Sequence, residues 1–190
     1  MKITSAVFVR GARGENDILN DGIPQIAFIG RANAGKSSLI NSFTGVKDLA
    51  LTSSTPGRTQ ELNIFLVNKK VYFVDLPGYG YAKTTFDKWK QMNRVIYWYL
   101  FESPYNPKVV LIIDGEIGPT EDDMGVLKFL EERGRDIVIV ANKVDKIKKS
   151  QYLNQLKKIR EKMVGHKVFP YSSKEKLGIG ELSAELLGRR

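Results

Sequence analysis

The stretch Gly30-Arg31-Ala32-Asn33-Ala34-Gly35-Lys36-Ser37 fits the pattern G-x-x-x-x-G-K-[ST], and its context decides how it is read. Ile26-Ala27-Phe28-Ile29 before it is a short apolar run of the kind that makes a buried strand. Leu39, Ile40 and Phe43 after it recur at helical spacing. A strand, a glycine-rich turn and a helix in that order form a phosphate-binding loop. Glycines let backbone N–H groups wrap a polyphosphate at the helix N-terminus, where the peptide dipoles favour an anion. Lys36 supplies a point charge for the terminal phosphates, and Ser37, followed by Ser38, offers a hydroxyl to a magnesium ion. The alternative is a glycine turn that binds nothing, and the flanking strand and helix count against it.

A polyphosphate loop does not name a base. Asn142-Lys143-Val144-Asp145 does, because it follows a second buried-strand run, Ile137-Val138-Ile139-Val140-Ala141. The Asp145 carboxylate can accept from both the ring N–H and the exocyclic amine of guanine, whereas adenine would leave it mispaired. Such a mismatch costs on the order of several kcal/mol. Lys143 can lay its stem along the base, and Asn142 can tie this loop to the phosphate loop. Between the two sites, Val71-Tyr72-Phe73-Val74-Asp75-Leu76-Pro77-Gly78 reads as a strand ending in D-x-P-G. Asp75 is suited to hold magnesium through a water, and the Gly78 amide can approach the terminal phosphate with no side chain in the way.

These motifs together resemble the translation-factor-type GTPases and, within them, the EngB/YihA/YsxC group of ribosome-biogenesis GTPases. The resemblance rests on residues 30–41, Thr55-Pro56-Gly57-Arg58-Thr59-Gln60, Asp75-Leu76-Pro77-Gly78-Tyr79-Gly80-Tyr81-Ala82-Lys83, the N-K-V-D stretch, and Ser172-Ser173-Lys174. It spans nearly the whole chain from about Phe8, and the tyrosine-rich tail of D-L-P-G-Y-G-Y-A is its most specific part. Many members have serine in place of Ala32 and threonine in place of Asn142; neither departure removes the guanine-reading Asp145.

The resemblance implies GTP held by residues 30–38, by Gly57, Arg58 and Thr59, by Asp75, Leu76, Pro77 and Gly78, and by the N-K-V-D stretch. Tyr171, Ser172, Ser173 and Lys174 would support the base through backbone N–H groups. Thr59 would join Ser37 and Asp75 on magnesium only when the terminal phosphate is present, with Thr52 and Thr55 as rivals. Residues 46–60 are polar and aperiodic, which suits either a loop that orders on one nucleotide and relaxes on the other or an ordinary surface loop. Lys36, Thr59, Gly78 and Asn33 would carry catalysis.

Ras-like enzymes place a glutamine after D-x-P-G to orient the attacking water, and this chain has Tyr79 there. A phenol cannot both donate to and accept from that water as an amide does, so slow intrinsic turnover is expected. Asn33 occupies the loop position that, in potassium-activated relatives, helps hold a monovalent cation beside the bridging oxygens. Potassium there would do electrostatically what an arginine finger does. The alternative role for Asn33 is a brace of the loop.

A chain of 190 residues suits one α/β domain with a sizeable core. The longest apolar run, residues 95–101, is far too short to span a membrane, and no secretory signal is evident at the N-terminus, so a cytoplasmic monomer is expected. The absence of cysteine excludes disulfides, thiolate metal sites and a cysteine nucleophile. His166, the one histidine, reads as solvated or structural. Residues 61–67 and 71–75 are strands joined by a connection too short for a crossover, hence an antiparallel pair. Residues 5–10 look extended, and 109–114 look like a strand. A helix should follow Tyr81, although 95–101 also favours a strand. Residues 119–133 suit a helix with Glu121, Asp122 and Asp123 in its first turn, and Ser150 looks like the cap of another. The sum is a three-layer P-loop fold of about six strands, mostly parallel, with helices on both faces.

Charge points to a partner. The chain carries a formal net charge of +9, and residues 143–176 hold eleven Lys or Arg against Asp145, Glu161 and Glu175. Lys146, Lys148 and Lys149 precede a helix with Lys157, Lys158, Arg160 and Lys162, so a basic face beside the guanine motif is expected. The resemblance implies a large ribosomal subunit as its target, met through phosphates and shape. The competing reading is a signalling or cell-division GTPase with a protein partner and an incidental, solvated lysine-rich helix.

Overall fold

Alternation along the central strands sets the frame. In β2 (Gln25–Gly30), Ile26 and Phe28 join the apolar cluster on one face while Ala27 and Ile29 join the cluster on the other. β4 (Val71–Asp75), β5 (Lys108–Asp114) and β6 (Ile137–Asn142) divide their side chains in the same way. Strands buried on both faces read as continuous apolar runs, as parallel strands between helix layers must. The computed structural model describes residues 2–14, 17–50, 61–80 and 93–188.

With β1 (Ala6–Ala12), β3 (Leu62–Val67) and β7 (Val168–Pro170), the sheet has seven strands in the order β1-β3-β4-β2-β5-β6-β7. The antiparallel pair expected from residues 61–75 is present as β3 and β4, joined by a turn in which Asn68 and Lys69 take positive φ. β3 also runs antiparallel to β1, and every other neighbouring pair is parallel. The count rises from about six to seven because residues 5–10, legible only as extended, form an edge strand. Val7, Phe8 and Val9 are all exposed there, so the apolar alternation that marks inner strands is missing.

α1 (Lys36–Thr44) and α5 (Ile179–Leu187) cover one face through Leu39, Ile40, Phe43, Leu182 and Leu186. The other face is covered by α2 (Arg94–Tyr97), continuing into π-helical Trp98–Glu102, by α3 (Glu121–Glu132) and by α4 (Tyr152–Lys162). The ambiguity over 95–101 therefore resolves as helix: buried Ile96, Tyr99 and Leu100 pack on the sheet, and packing overrides the strand preference of aromatics. α3 begins with a capping box between Thr120 and Asp123, and its first turn carries the three expected acids. Ser150 caps nothing: it lies inside a short 3-10 turn, Lys149–Gln151, that leads into α4, whose N-cap is Gln151. His166 bonds Glu131 at 2.7 Å, which gives it a structural place.

Between β4 and β5 the chain order reverses about β2, which opens a crevice beyond the strand C-termini. Three of the motifs lie there. No helix among the described residues is long and apolar enough to cross a membrane.

Candidate nucleotide-binding site

The phosphate loop joins β2 to α1 and holds its shape through its own backbone. Ala34 N–H donates to the Arg31 carbonyl at 3.0 Å, Asn33 takes φ 67°, and Gly35 takes φ 88° just before the helix. No side chain caps α1, so its first N–H groups are left for a ligand. Gly35 is required twice over: its φ is left-handed, and a Cβ would lie 2.4 Å from Asn142 Nδ2.

Asp75 ends β4 beneath this loop. It is buried and ion-paired with Lys36 Nζ. Burial raises its carboxyl above the ordinary carboxylate range, and the Lys36 charge opposes that shift. Ser37 follows Lys36 in the first turn of α1, so a hydroxyl and a carboxylate belong to the same small region. Gly78 lies against the loop itself, where a Cβ would be 3.3 Å from both N and Cα of Ala32. Leu76 and Pro77 connect it to β4, and Leu76 N–H donates to Phe28 O at 3.0 Å.

Asn142 makes the link to the phosphate loop that its position suggested. Its Nδ2 donates to Ala34 O at 3.1 Å and Gly35 O at 3.2 Å, and its Oδ1 accepts from Ser173 Oγ at 3.2 Å. Lys143 Nζ donates to Asn33 O and pairs with Asp114 at 2.7 Å. Val144 N–H donates to Tyr171 O at 3.2 Å, and Tyr171 N–H to Ala141 O at 2.8 Å, so the strand ends of β6 and β7 are locked together. Tyr171 is fully buried and its hydroxyl meets Ser42 Oγ on α1 at 3.0 Å. Burial pushes that phenol up to about 12. Asp145 is exposed and accepts from Ser172 Oγ at 2.6 Å.

A cavity of about 550 Å³ brings the phosphate-loop and base-reading motifs together: Gly35 and Ser38 at the start of α1, Lys143 and Asp145 from the segment after β6, and Ser173 and Lys174 beyond β7. Polyphosphate donors at one end and a carboxylate with a lysine stem at the other are what a guanine nucleotide needs. A larger cavity of about 690 Å³, lined by Phe43, Ile179, Ser183 and Ala184 among others, lies between α1 and α5 and holds none of these motifs. Gly57, Arg58 and Thr59, with the rivals Thr52 and Thr55, and Tyr81, Ala82 and Lys83 lie outside the described residues.

Two features escape sequence reading. Asp114, the end of β5, holds Lys143 and also accepts from the N–H groups of Glu116 and Ile117 at 3.0 and 3.3 Å. An acid closing an apolar strand, as Asp75 does, was the signal available for it. Tyr79 turns away from the cavity: it is 1% exposed, and its hydroxyl donates to Asp123 Oδ1 at 2.7 Å. Burial, with Asp123 beside it, raises the phenol well above the usual tyrosine range, so it stays a donor.

Residues 25–143 match the family described as "50S ribosome-binding GTPase". The chain is also 41% identical over 186 residues to the probable GTP-binding protein EngB of Acholeplasma laidlawii, covering 97% of each. It belongs to the EngB family of GTPases. Other EngB proteins agree: that of Clostridium perfringens strain 13 is 41% identical, over 96% of this chain and 94% of the relative. The EngB of Clostridioides difficile is 37% identical, over 100% and 95%. As a member of this family the chain binds GTP and hydrolyses it. Solved structures share its fold. A probable EngB crystal structure covers 86% of this chain and 96% of its own, with TM-score 0.60 at 24% identity. Era bound to MgGDPNP and nucleotides 1506–1542 of 16S ribosomal RNA covers 86% and 55%, with TM-score 0.67 at 24% identity.

Proposed function

We propose that this EngB-family GTPase is a switch in assembly of the large ribosomal subunit, docking on ribosomal RNA in one nucleotide state and leaving in the other. The observation that carries this reading is the placement of the basic surplus. Lys146 lines the guanine cavity, and Lys148, Lys149, Lys157 and Lys158 follow it in the chain, all of them exposed. Among the described residues, Lys157 pairs with Glu161 on its helix at 3.9 Å, an exposed contact of little weight. A cationic surface that begins at the rim of the nucleotide site suits a phosphate-rich partner whose binding follows nucleotide state. The family's description as 50S ribosome-binding points the same way.

At the site, the phosphate-loop amides and Lys36 hold the phosphates, Asp145 reads guanine, and Gly78 donates its amide to the terminal phosphate. Lys36 leaves Asp75 for the phosphates when nucleotide enters. A magnesium ion fits the donor set, since Asp75 is a buried carboxylate whose cationic partner is a phosphate ligand and Ser37 adds a hydroxyl. That ion would neutralise phosphate charge, with Thr59 as its switch-dependent ligand. Tyr79, turned into the core, does not orient water. Asn33 is the residue for a potassium ion.

The test is a variant with Lys148, Lys149, Lys157 and Lys158 changed to Gln, cosedimented with large ribosomal subunits over a salt series. Subunit binding should weaken, and each lost phosphate contact should flatten the log-log salt slope by about 0.7 to 0.9. GTP affinity should stay as in the parent. Cosedimentation like the parent at every salt would make the face a solvated helix and redirect the search to a protein partner.

A further inference from the structure

Tyr79 follows the D-x-P-G motif, and two sets of bonds hold it. On the main chain, Ala32 N–H donates to its carbonyl at 2.9 Å, and its own N–H donates to Gly30 O at 3.3 Å. The second of these is long, hence weak. They form a single isolated bridge past the end of the β2–β4 ladder. On the side chain, the phenol donates to Asp123, itself 1% exposed, in the first turn of α3. The other carboxylate oxygen of Asp123 accepts from the N–H and the Oγ of Thr120, both at 2.8 Å. A carboxylate fixed by a capping box makes a stationary acceptor, and a hydrogen bond to it is charge-assisted.

Gly78 sits between this anchored residue and the Leu76–Phe28 bond, pressed against Ala32. We propose that the Tyr79–Asp123 hydrogen bond is a positioning device that holds the Gly78 amide where a terminal phosphate meets it, so that the pair sets the preference for triphosphate over diphosphate. The proposal rests on the reading of Gly78 as donor to the terminal phosphate. Neither Tyr79 nor Asp123 touches the nucleotide; both act through the Gly78 backbone. Without the phenol anchor, the hydrogen bonds that tie Tyr79 itself to the loop, among the described residues, are one good and one long backbone bond. GDP has no terminal phosphate for that amide to meet, so its binding is indifferent to where the amide lies.

The experiment measures, on the full chain, the affinities for GDP and for a non-hydrolysable GTP analogue in the parent, Tyr79→Phe, Asp123→Ala and the double variant. Tyr79→Phe keeps the ring in its buried seat, and GDP affinity reports that the site is folded. Each single variant should lose about tenfold or more in preference for the analogue, the size of one charge-assisted hydrogen bond, with GDP affinity within about twofold. The double variant should fall no further than the singles, because one bond is removed either way. A packing role alone would weaken both nucleotides together; that result, or an unchanged preference, overturns the proposal. Gly78→Ala separates the two layers. If it abolishes the preference while the Tyr79 and Asp123 variants keep it, the positioning role fails and the Gly78 reading stands. If it too keeps the preference, both fail.

Discussion

Replacing Asn142 with Ala removes a side chain that bonds both to the phosphate loop and to the segment after β7. The side chain is 1% exposed, donates to Ala34 O and Gly35 O at 3.1 and 3.2 Å, and accepts from Ser173 Oγ at 3.2 Å. At a net of about 1 kcal/mol per hydrogen bond, the three sum to about 3 kcal/mol. Water reaching the half-buried Gly35 carbonyl and Ser173 recovers part, so a loss of about 2 kcal/mol in unfolding free energy is expected. Nucleotide contacts both loops, so binding must restore their alignment and GDP affinity should fall about tenfold. Asn142→Thr keeps one hydroxyl donor and should fall between parent and Ala. Urea unfolding without nucleotide gives the first quantity, and titration with a fluorescent GDP gives the second. Stability within about 0.5 kcal/mol of the parent, together with unchanged GDP affinity, would refute the claim that Asn142 joins the two halves of the site.

Asp145→Asn should weaken GTP and improve xanthosine triphosphate, because the amide reverses one donor–acceptor pair; unchanged GTP affinity in a two-nucleotide titration would remove Asp145 from base reading. Turnover should rise when potassium replaces sodium at constant ionic strength, and Asn33→Ala should erase the rise; equal rates in both salts leave Asn33 as a loop brace. Tyr171 ionises at about 12 when folded and at about 10 when unfolded, so its contribution to stability is complete below about pH 10 and is lost as pH climbs towards 12. Urea melts at pH 9 and pH 11 should therefore show a larger drop for the parent than for Tyr171→Phe, and equal drops would contradict the sign.

Legibility followed the range of each interaction. The phosphate loop, the D-x-P-G turn and the N-K-V-D stretch are local patterns, each following its own apolar strand, and the fold gathers them beyond the carboxyl ends of those inner strands. The tie from Asn142 to the phosphate loop, 108 residues away, followed from its motif, but other partners remote in sequence were not legible. Lys36 and Asp75 lie 39 residues apart and Tyr79 and Asp123 lie 44 apart, and no periodicity marks such pairs. β1 was read only as extended because an edge strand with exposed Val7, Phe8 and Val9 lacks the alternation that signals burial. Ser150 looked like a cap because Ser is a good one, but a 3-10 turn moves the N-cap one residue on, to Gln151.

The central claim is that the guanine site governs a basic, RNA-docking face. Its most direct measurement is cosedimentation of the full chain with large ribosomal subunits in a GTP analogue and in GDP across a salt series. Binding should differ between the two nucleotides and fall steeply with salt in the binding state. Binding that is equal in both nucleotides, or that ignores salt, would contradict it.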